Sequence, residues 1–123
     1  MIDVTCAIII KEGKYLICQR SERMKMPLKW EFPGGKVEIN ESLQSCLQRE
    51  IKEELNVNIY IIKKLNKVIH HYDNFSISLY PFICEIRDGD ISLKEHNTYQ
   101  WVDLHEINKY DLASADKPIL SQL

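Results

Sequence analysis

A chain of 123 residues with 16 Lys+Arg against 18 Asp+Glu carries a net charge of −2 and is 45% hydrophobic. That length suits a single domain over residues 1–123, able to bury roughly two-thirds of the surface its unfolded form exposes. The near-neutral balance gives no electrostatic case for duplex nucleic acid or a membrane surface, and no run has the length of a bilayer span or the pattern of a secretory leader.

In chain order, residues 4–11 and 14–20 read as strands joined at Glu12-Gly13, a hairpin signal. Residues 21–29 form a polar, proline-containing loop, and a loop with a Gly-Gly turn at 34–35 leads into a helix. Beyond it, residues 57–64, 67–72 and 76–86 read as β-rich, with Pro81 pointing to an edge or a bulge. Asp88-Gly89-Asp90 is a turn, residues 99–103 a short strand, and short helices are expected near 104–108 and 117–123. Strands flanking an internal helix, with helices at the end, make an α/β (α+β) fold with a mixed sheet between helices. Cys6, Cys18, Cys46 and Cys84 are scattered without a C-x-x-C, as befits reduced core residues of a cytoplasmic protein.

Residues 34–57, GGKVEINESLQSCLQREIKEELNV, carry the chemistry. Leu43, Cys46, Leu47, Ile51 and Leu55 fall on one helical stripe. Ser42 suits the N-cap, and Asn56 suits a left-handed C-terminal position. Glu50 and Glu54 follow Leu43 and Leu47 by seven residues each, so both carboxylates return to the apolar stripe, with Glu53 on its flank. Partial burial of such a like-charge pair costs free energy unless a cation sits between the oxygens, and Mg²⁺ is the natural one. Arg49 can pair with Glu53, Glu50 or a phosphate. The competing reading is a solvated charged face with Arg49 and Lys52 as counter-ions.

At these residues the chain resembles the Nudix hydrolases, whose pattern is G-x5-E-x7-R-E-U-x-E-E-x-G-U, with U aliphatic. Gly35, Glu41, Arg49, Glu50, Ile51, Glu53, Glu54 and Val57 stand in register, and the departure is Asn56 in place of glycine. The run WEFPGG at 30–35, with Lys36-Val37-Glu38 after it, and the segment ASADKPIL at 113–120 resemble the MutT-type branch, which hydrolyses nucleoside triphosphates.

The resemblance implies a Nudix α/β/α sandwich and a metal-dependent hydrolase using Mg²⁺, for which Mn²⁺ can substitute. It implies Glu50 and Glu54 as principal metal ligands and Glu53 as a ligand or water-orienting group. The Gly34 carbonyl is a further candidate ligand, and Glu41 and Arg49 would support the loop–helix geometry. Glu95 matches by position a loop glutamate that approaches the metals, and a solvated turn is its other reading. MutT-like members attack the β-phosphorus and release a nucleoside monophosphate and pyrophosphate.

For the substrate, Arg20 is the candidate phosphate clamp, or else an ordinary strand-end arginine. Phe32 and Tyr72 can flank a base or belong to the core. The C-terminal resemblance places Asp116 and Phe75 at positions that read the base. An ionised Asp116 only accepts hydrogen bonds, which suits the amino group of cytosine unless burial keeps the acid protonated. His70, His71, His96 and His105 read as residues without a metal role, the last two on the surface. Three functions compete: a monomeric pyrophosphohydrolase of oxidised dGTP, serving DNA repair, or of (d)CTP-type nucleotides; a hydrolase of nucleotide sugars or dinucleoside polyphosphates; and a non-catalytic domain resembling the lesion reader of adenine glycosylases. The intact set of glutamates disfavours the last.

Overall fold

A computed structural model describes residues 1–123. The elements run β1 (Ile2–Lys11), β2 (Lys14–Gln19), β3 (Trp30–Glu31), β4 (Gly34–Lys36), α1 (Leu43–Leu55), β5 (Asn58–Lys64), β6 (Val68–His71), β7 (Ser76–Asp88) and β8 (Thr98–Val102). Two 3₁₀ turns follow at Glu106–Lys109 and Lys117–Gln122. The β1–β2 hairpin turns at Glu12 and Gly13, both at positive φ (51° and 76°), the backbone signature of a tight hairpin.

The strands form one mixed sheet in which β1 runs parallel to β7, pairing Ile2 with Ile77 through Ile9 with Cys84. β7 carries β6 and then β5 on its far side, both antiparallel. On its other side, β1 pairs with β2 only near the hairpin, at Ile10 and Lys11, before the two strands diverge. The segment Trp30 to Lys36 fills the gap: β3 pairs with the end of β2, β4 with β1 at Val4 to Cys6, and the Ala7 N–H donates to the Pro33 carbonyl between them at 2.8 Å. β8 closes the other edge of β2.

Each face of the sheet buries its own core. Ala7, Ile9, Leu16, Cys18, Phe82 and Cys84 meet Leu47, Ile51 and Leu55 of α1 on one face. Cys6, Ile8, Ile17, Ile77 and Leu79 meet Ile107, Leu112 and Ile119 of the C-terminal segment on the other. Each fully buried aliphatic side chain contributes about 1.5–3 kcal/mol relative to exposure, so the alternation along β1 alone ties helix, sheet and C-terminus together. All four cysteines are buried free thiols.

Three expectations change. The C-terminal helices are 3₁₀ turns of 4 and 6 residues, so the second outer layer of the sandwich is thin; such short stretches lack the length for a stable α-helix. The Gly-Gly segment is a strand rather than a turn, because it is stretched alongside β1. Pro81 lies on an interior strand, not an edge. Its carbonyl accepts from the Leu65 N–H at 2.9 Å, where β7 exchanges β6 for β5, so the missing proline N–H falls in a break between partners.

The helix ends lie where local chemistry puts them. Ser42 Oγ accepts from the Ser45 N–H at 3.1 Å, and Asn56 adopts φ 59°, ψ 32° while its N–H donates to the Lys52 carbonyl. Because the left-handed conformation is already in place, Asn56→Gly should change stability by less than about 1 kcal/mol in chemical denaturation. A larger loss would show that the Asn56 side chain contributes something beyond the cap.

Candidate active site

The loop–helix unit is built around one arginine. Arg49 grips Glu41 with both arms of its fork, Nε to Oε2 at 2.7 Å and Nη2 to Oε1 at 3.0 Å. It also donates to Glu50 Oε1 at 2.8 Å, Glu53 Oε2 at 3.3 Å and the Lys36 carbonyl at 3.2 Å. The bidentate contact holds the Glu41 carboxyl down to about 2, and it fixes residues 36–41 against α1. Glu41 further accepts from the Glu38 N–H at 3.0 Å.

Glu50 and Glu54 return to the buried side of α1 as their spacing requires, with side chains 17% and 18% exposed, while Glu53 is 59% exposed. The two buried carboxylates differ in their partners. Glu50 has Arg49, whereas Glu54 Oε2 is buried with no hydrogen-bond partner. Burial, with Glu31, Glu50 and Glu95 as neighbouring negative groups, pushes the Glu54 carboxyl up from 4.5 to about 9.

Two residues around Glu54 had no role in the sequence reading. Glu31 on β3 shares its carboxylate between Arg20 Nη1 at 2.7 Å and His96 Nε2 at 2.8 Å. His96 is the clear correction: it is buried, with its Nδ1 3.9 Å from Glu54 Oε2. Its loop is pinned by backbone bonds from Ser92 to Leu55, Lys94 to Glu54 and Asn97 to Gln19, at 2.9, 3.1 and 3.0 Å. These turn the imidazole inward. Nothing periodic in a loop reports such burial; the only available signal for Glu31 was an acid set between Trp30 and Phe32 in an otherwise apolar run.

The scattered substrate candidates come together in one cavity of about 250 Å³ lined by Arg20, Phe32, Tyr72, Phe75 and Asp116, with Gly34 and Glu54 also in its wall. Phe75 stacks on Tyr72 at 4.9 Å between ring centroids, while Phe32 is core-buried and offers its backbone: its N–H donates to Asp116 Oδ2 at 2.8 Å. Burial and the Glu31 charge push the Asp116 carboxyl up from 3.8 to about 8. Arg20 faces this cavity already engaged, with Glu31 and with the Lys25 carbonyl at 2.5 Å. A second hollow, lined by Glu50, Glu53, Glu54, Lys94 and Glu95, adjoins the first through Glu54.

The four carboxylates around the second hollow are hard oxygen donors suited to a hydrated divalent cation, and the partnerless Glu54 oxygen is the atom such an ion would satisfy. They do not converge on one point as they stand, since Glu50 leans on Arg49. Such loose convergence fits Mg²⁺, which keeps several waters and uses one or two carboxylates with substrate phosphates.

A NUDIX domain model matches residues 5–122. The chain is 34% identical over 120 residues to the CTP pyrophosphohydrolase of Escherichia coli (strain K12), covering 98% of this chain and 89% of that protein. It is 31% identical to the 8-oxo-dGTP diphosphatase of Buchnera aphidicola subsp. Schizaphis graminum (strain Sg), covering 98% and 92%. The crystal structure of the MutT protein from Methanosarcina mazei Go1 matches with a TM-score of 0.89 at 27% identity, over 98% of this chain and 91% of that one.

The raised Glu54 carboxyl sets a pH dependence whose sign is fixed. Its stabilising proton is fully present below about 4.5 and is lost as pH rises through about 9, so the metal-free protein should lose stability over that window. Glu54→Gln, neutral throughout, should lose less and melt above the wild type at pH 9. A cation binding at Glu54 displaces the proton, so Mg²⁺ affinity should climb with pH up to about 9. Calorimetry in buffers of different ionisation enthalpy reads the released proton, and pH-independent Mg²⁺ binding would contradict the assignment.

Proposed function

The chain belongs to the Nudix hydrolase family, and from that membership we propose that it is a Mg²⁺-dependent, MutT-like pyrophosphohydrolase of nucleoside triphosphates, releasing a nucleoside monophosphate and pyrophosphate. The observation that carries the reading is the join at Glu54 between an apolar, base-sized cavity and a carboxylate-lined hollow. Nudix hydrolases generally act with a divalent cation, typically Mg²⁺. Here Glu50 and Glu54 would hold it, with Glu53, Glu95 and the Gly34 carbonyl as further candidate ligands. When bound, such an ion neutralises phosphate oxygens and acidifies a water.

The chain's own residues do the rest. Arg49 and Glu41 hold the helix carboxylates in register with the loop, a positioning role. Glu31 and His96 wall in Glu54 and exclude water from its buried oxygen. Arg20, anchored by Glu31, lines the cavity and would offer a phosphate the guanidinium donors not already engaged. Asp116, tied down through Oδ2 by the Phe32 amide, turns its other oxygen to the base.

Burial changes the argument about that base. With its carboxyl pushed up to about 8, Asp116 carries a proton at neutral pH and can donate as well as accept, as an amide does. A preference for cytosine built on an ionised, acceptor-only Asp116 therefore falls away at pH 7. Broad acceptance of oxidised dGTP and (d)CTP-type nucleotides is the specificity this site supports, in keeping with relatives named for each.

Pyrophosphate release from a nucleotide panel with Mg²⁺ tests the activity. Glu50→Gln and Glu54→Gln should each lose roughly a hundredfold or more in kcat with the fold intact by circular dichroism, and EDTA should abolish turnover. Wild-type rates in both variants would refute the carboxylate assignment.

The base site gives a separate test. As pH rises through about 8, Asp116 passes to its acceptor-only form, so the kcat/KM ratio of dCTP to 8-oxo-dGTP should rise between pH 7 and 9. In Asp116→Asn the same ratio should stay flat. Identical pH profiles in the two proteins would remove Asp116 from base recognition.

A further inference from the structure

A larger cavity, of about 600 Å³, opens between residues 21–24 and 94–97, and neither the base nor the carboxylate assignment uses it. Arg23 and Lys94 line it on opposite loops, with Ser21 and Asn97 beside them and Glu22 and Glu95 on its walls. Of the four arginines, Arg20, Arg49 and Arg87 sit in ion pairs; Arg23 does not, and neither does Lys94.

Both cations stand on constrained backbone. The Lys94 N–H donates to the Glu54 carbonyl at 3.1 Å, which places that residue directly beside the helix carboxylates. The turn bearing Arg23 is closed by Met24 N–H to the Ser21 carbonyl at 3.2 Å, and its loop is stapled by Leu28 N–H to the Arg20 carbonyl at 3.0 Å.

The cavity continues the path already described. It shares Lys94 and Glu95 with the carboxylate hollow and Met24 with the base cavity. For a ligand with its base beside Asp116 and its reacting phosphate at Glu50 and Glu54, the adjoining cavity is therefore open to the end of its phosphate chain. Two unpaired cations suit that end, while the carboxylates of Glu22 and Glu95 disfavour a bare anion and tolerate one complexed with Mg²⁺.

We propose that the Arg23–Lys94 cavity is a distal phosphate subsite, which takes the terminal phosphate of a nucleoside triphosphate and holds the outer end of Mg²⁺-pyrophosphate after cleavage. It rests on the triphosphate reading above for its place in turnover, but its ligand can be tested alone. A nucleoside diphosphate has one phosphate fewer to reach it, so the subsite favours triphosphates through KM. Because both cations are exposed, the effect is moderate and weakens with salt.

The test is titration of Mg²⁺-pyrophosphate into wild type, the double variant Arg23→Gln/Lys94→Gln, and Lys14→Gln, a charge control at the far end of β2, alongside steady-state kinetics on a triphosphate and its diphosphate. The double variant should bind pyrophosphate about tenfold more weakly and show a triphosphate KM raised by about the same factor, with a smaller rise in diphosphate KM and the melting temperature nearly unchanged. Wild-type affinity in the double variant, no pyrophosphate binding by the wild type, or an equal loss in Lys14→Gln would overturn the subsite. Triphosphate turnover with an unchanged KM in the double variant would also overturn it while leaving the hydrolase reading standing. Pyrophosphate binding that depends on Arg23 and Lys94, in a protein that hydrolyses no nucleotide, would uphold the subsite and refute the hydrolase reading.

Discussion

The site depends on two glycines that have no room for a side chain. A Cβ on Gly34 would run into the Thr5 carbonyl, and one on Gly35 into the Glu50 carboxyl. Bare backbone at Gly34 lets β4 lie this close to β1, while a side chain at Gly35 would push the Glu50 carboxyl aside. That approach is what allows residues 30–36 to enter the gap where β1 and β2 part, with Ala7 bonded to Pro33 and Val37 to Asp3 at the segment's later part. The wedge then delivers its residues in register: Glu31 to Arg20 and His96, the Phe32 amide to Asp116, and Gly34 to the wall of the cavity.

Charge is distributed around this wedge so that the rim is neutralised and the centre is not. Arg49 covers Glu41 and Glu50 from outside, and Arg20 covers Glu31 from the cavity side. Glu54 lies between them, buried, against an imidazole nitrogen that is equally without a partner. Such a centre is destabilising when empty of positive charge, because burial raises the cost of each carboxylate and the others add to it. A cation that relieves this cost binds the folded state and not the unfolded one, so the site's function and the fold's stability are linked through the same oxygen atoms.

Where the sequence was readable, the determinants were local. Helix α1 begins and ends at residues whose side chain or φ value settles the matter within three or four positions, Ser42 and Asn56, and its buried stripe follows from spacing alone. The family resemblance rested on a pattern inside one loop–helix unit for the same reason. What was not readable depends on pairing across the chain. β3 and β4 have 2 and 3 residues and two glycines between them, too little propensity to announce strands, and they exist because β1 and β2 diverge. Pro81 pointed to an edge or a bulge because the sequence shows a missing donor and not the break between β6 and β5 that absorbs it. His96 is buried, and Glu31 half-buried, by a contact 65 residues apart in the chain, and no periodicity carries that information.

For the nucleotide ligand proposed above, the two ends of the cleft would differ in how firmly they discriminate. At the base end the polar anchor is one carboxyl, Asp116, and the walls include Tyr72, Phe75 and the side chains of Met24 and Met26, which repack at little cost. Apolar walls of this kind distinguish ligands by only about 1–3 kcal/mol per methylene, so a single acid able to donate or accept leaves the choice of base wide. At the phosphate end, the ligand would meet charges on an anchored helix and a pinned loop, where a missing or misplaced phosphate would leave the cation held by the carboxylates without its anionic partner. That penalty is larger and does not relax by repacking. For the nucleotide substrate proposed above, selection would therefore fall on the length and charge of the phosphate chain before it falls on the base.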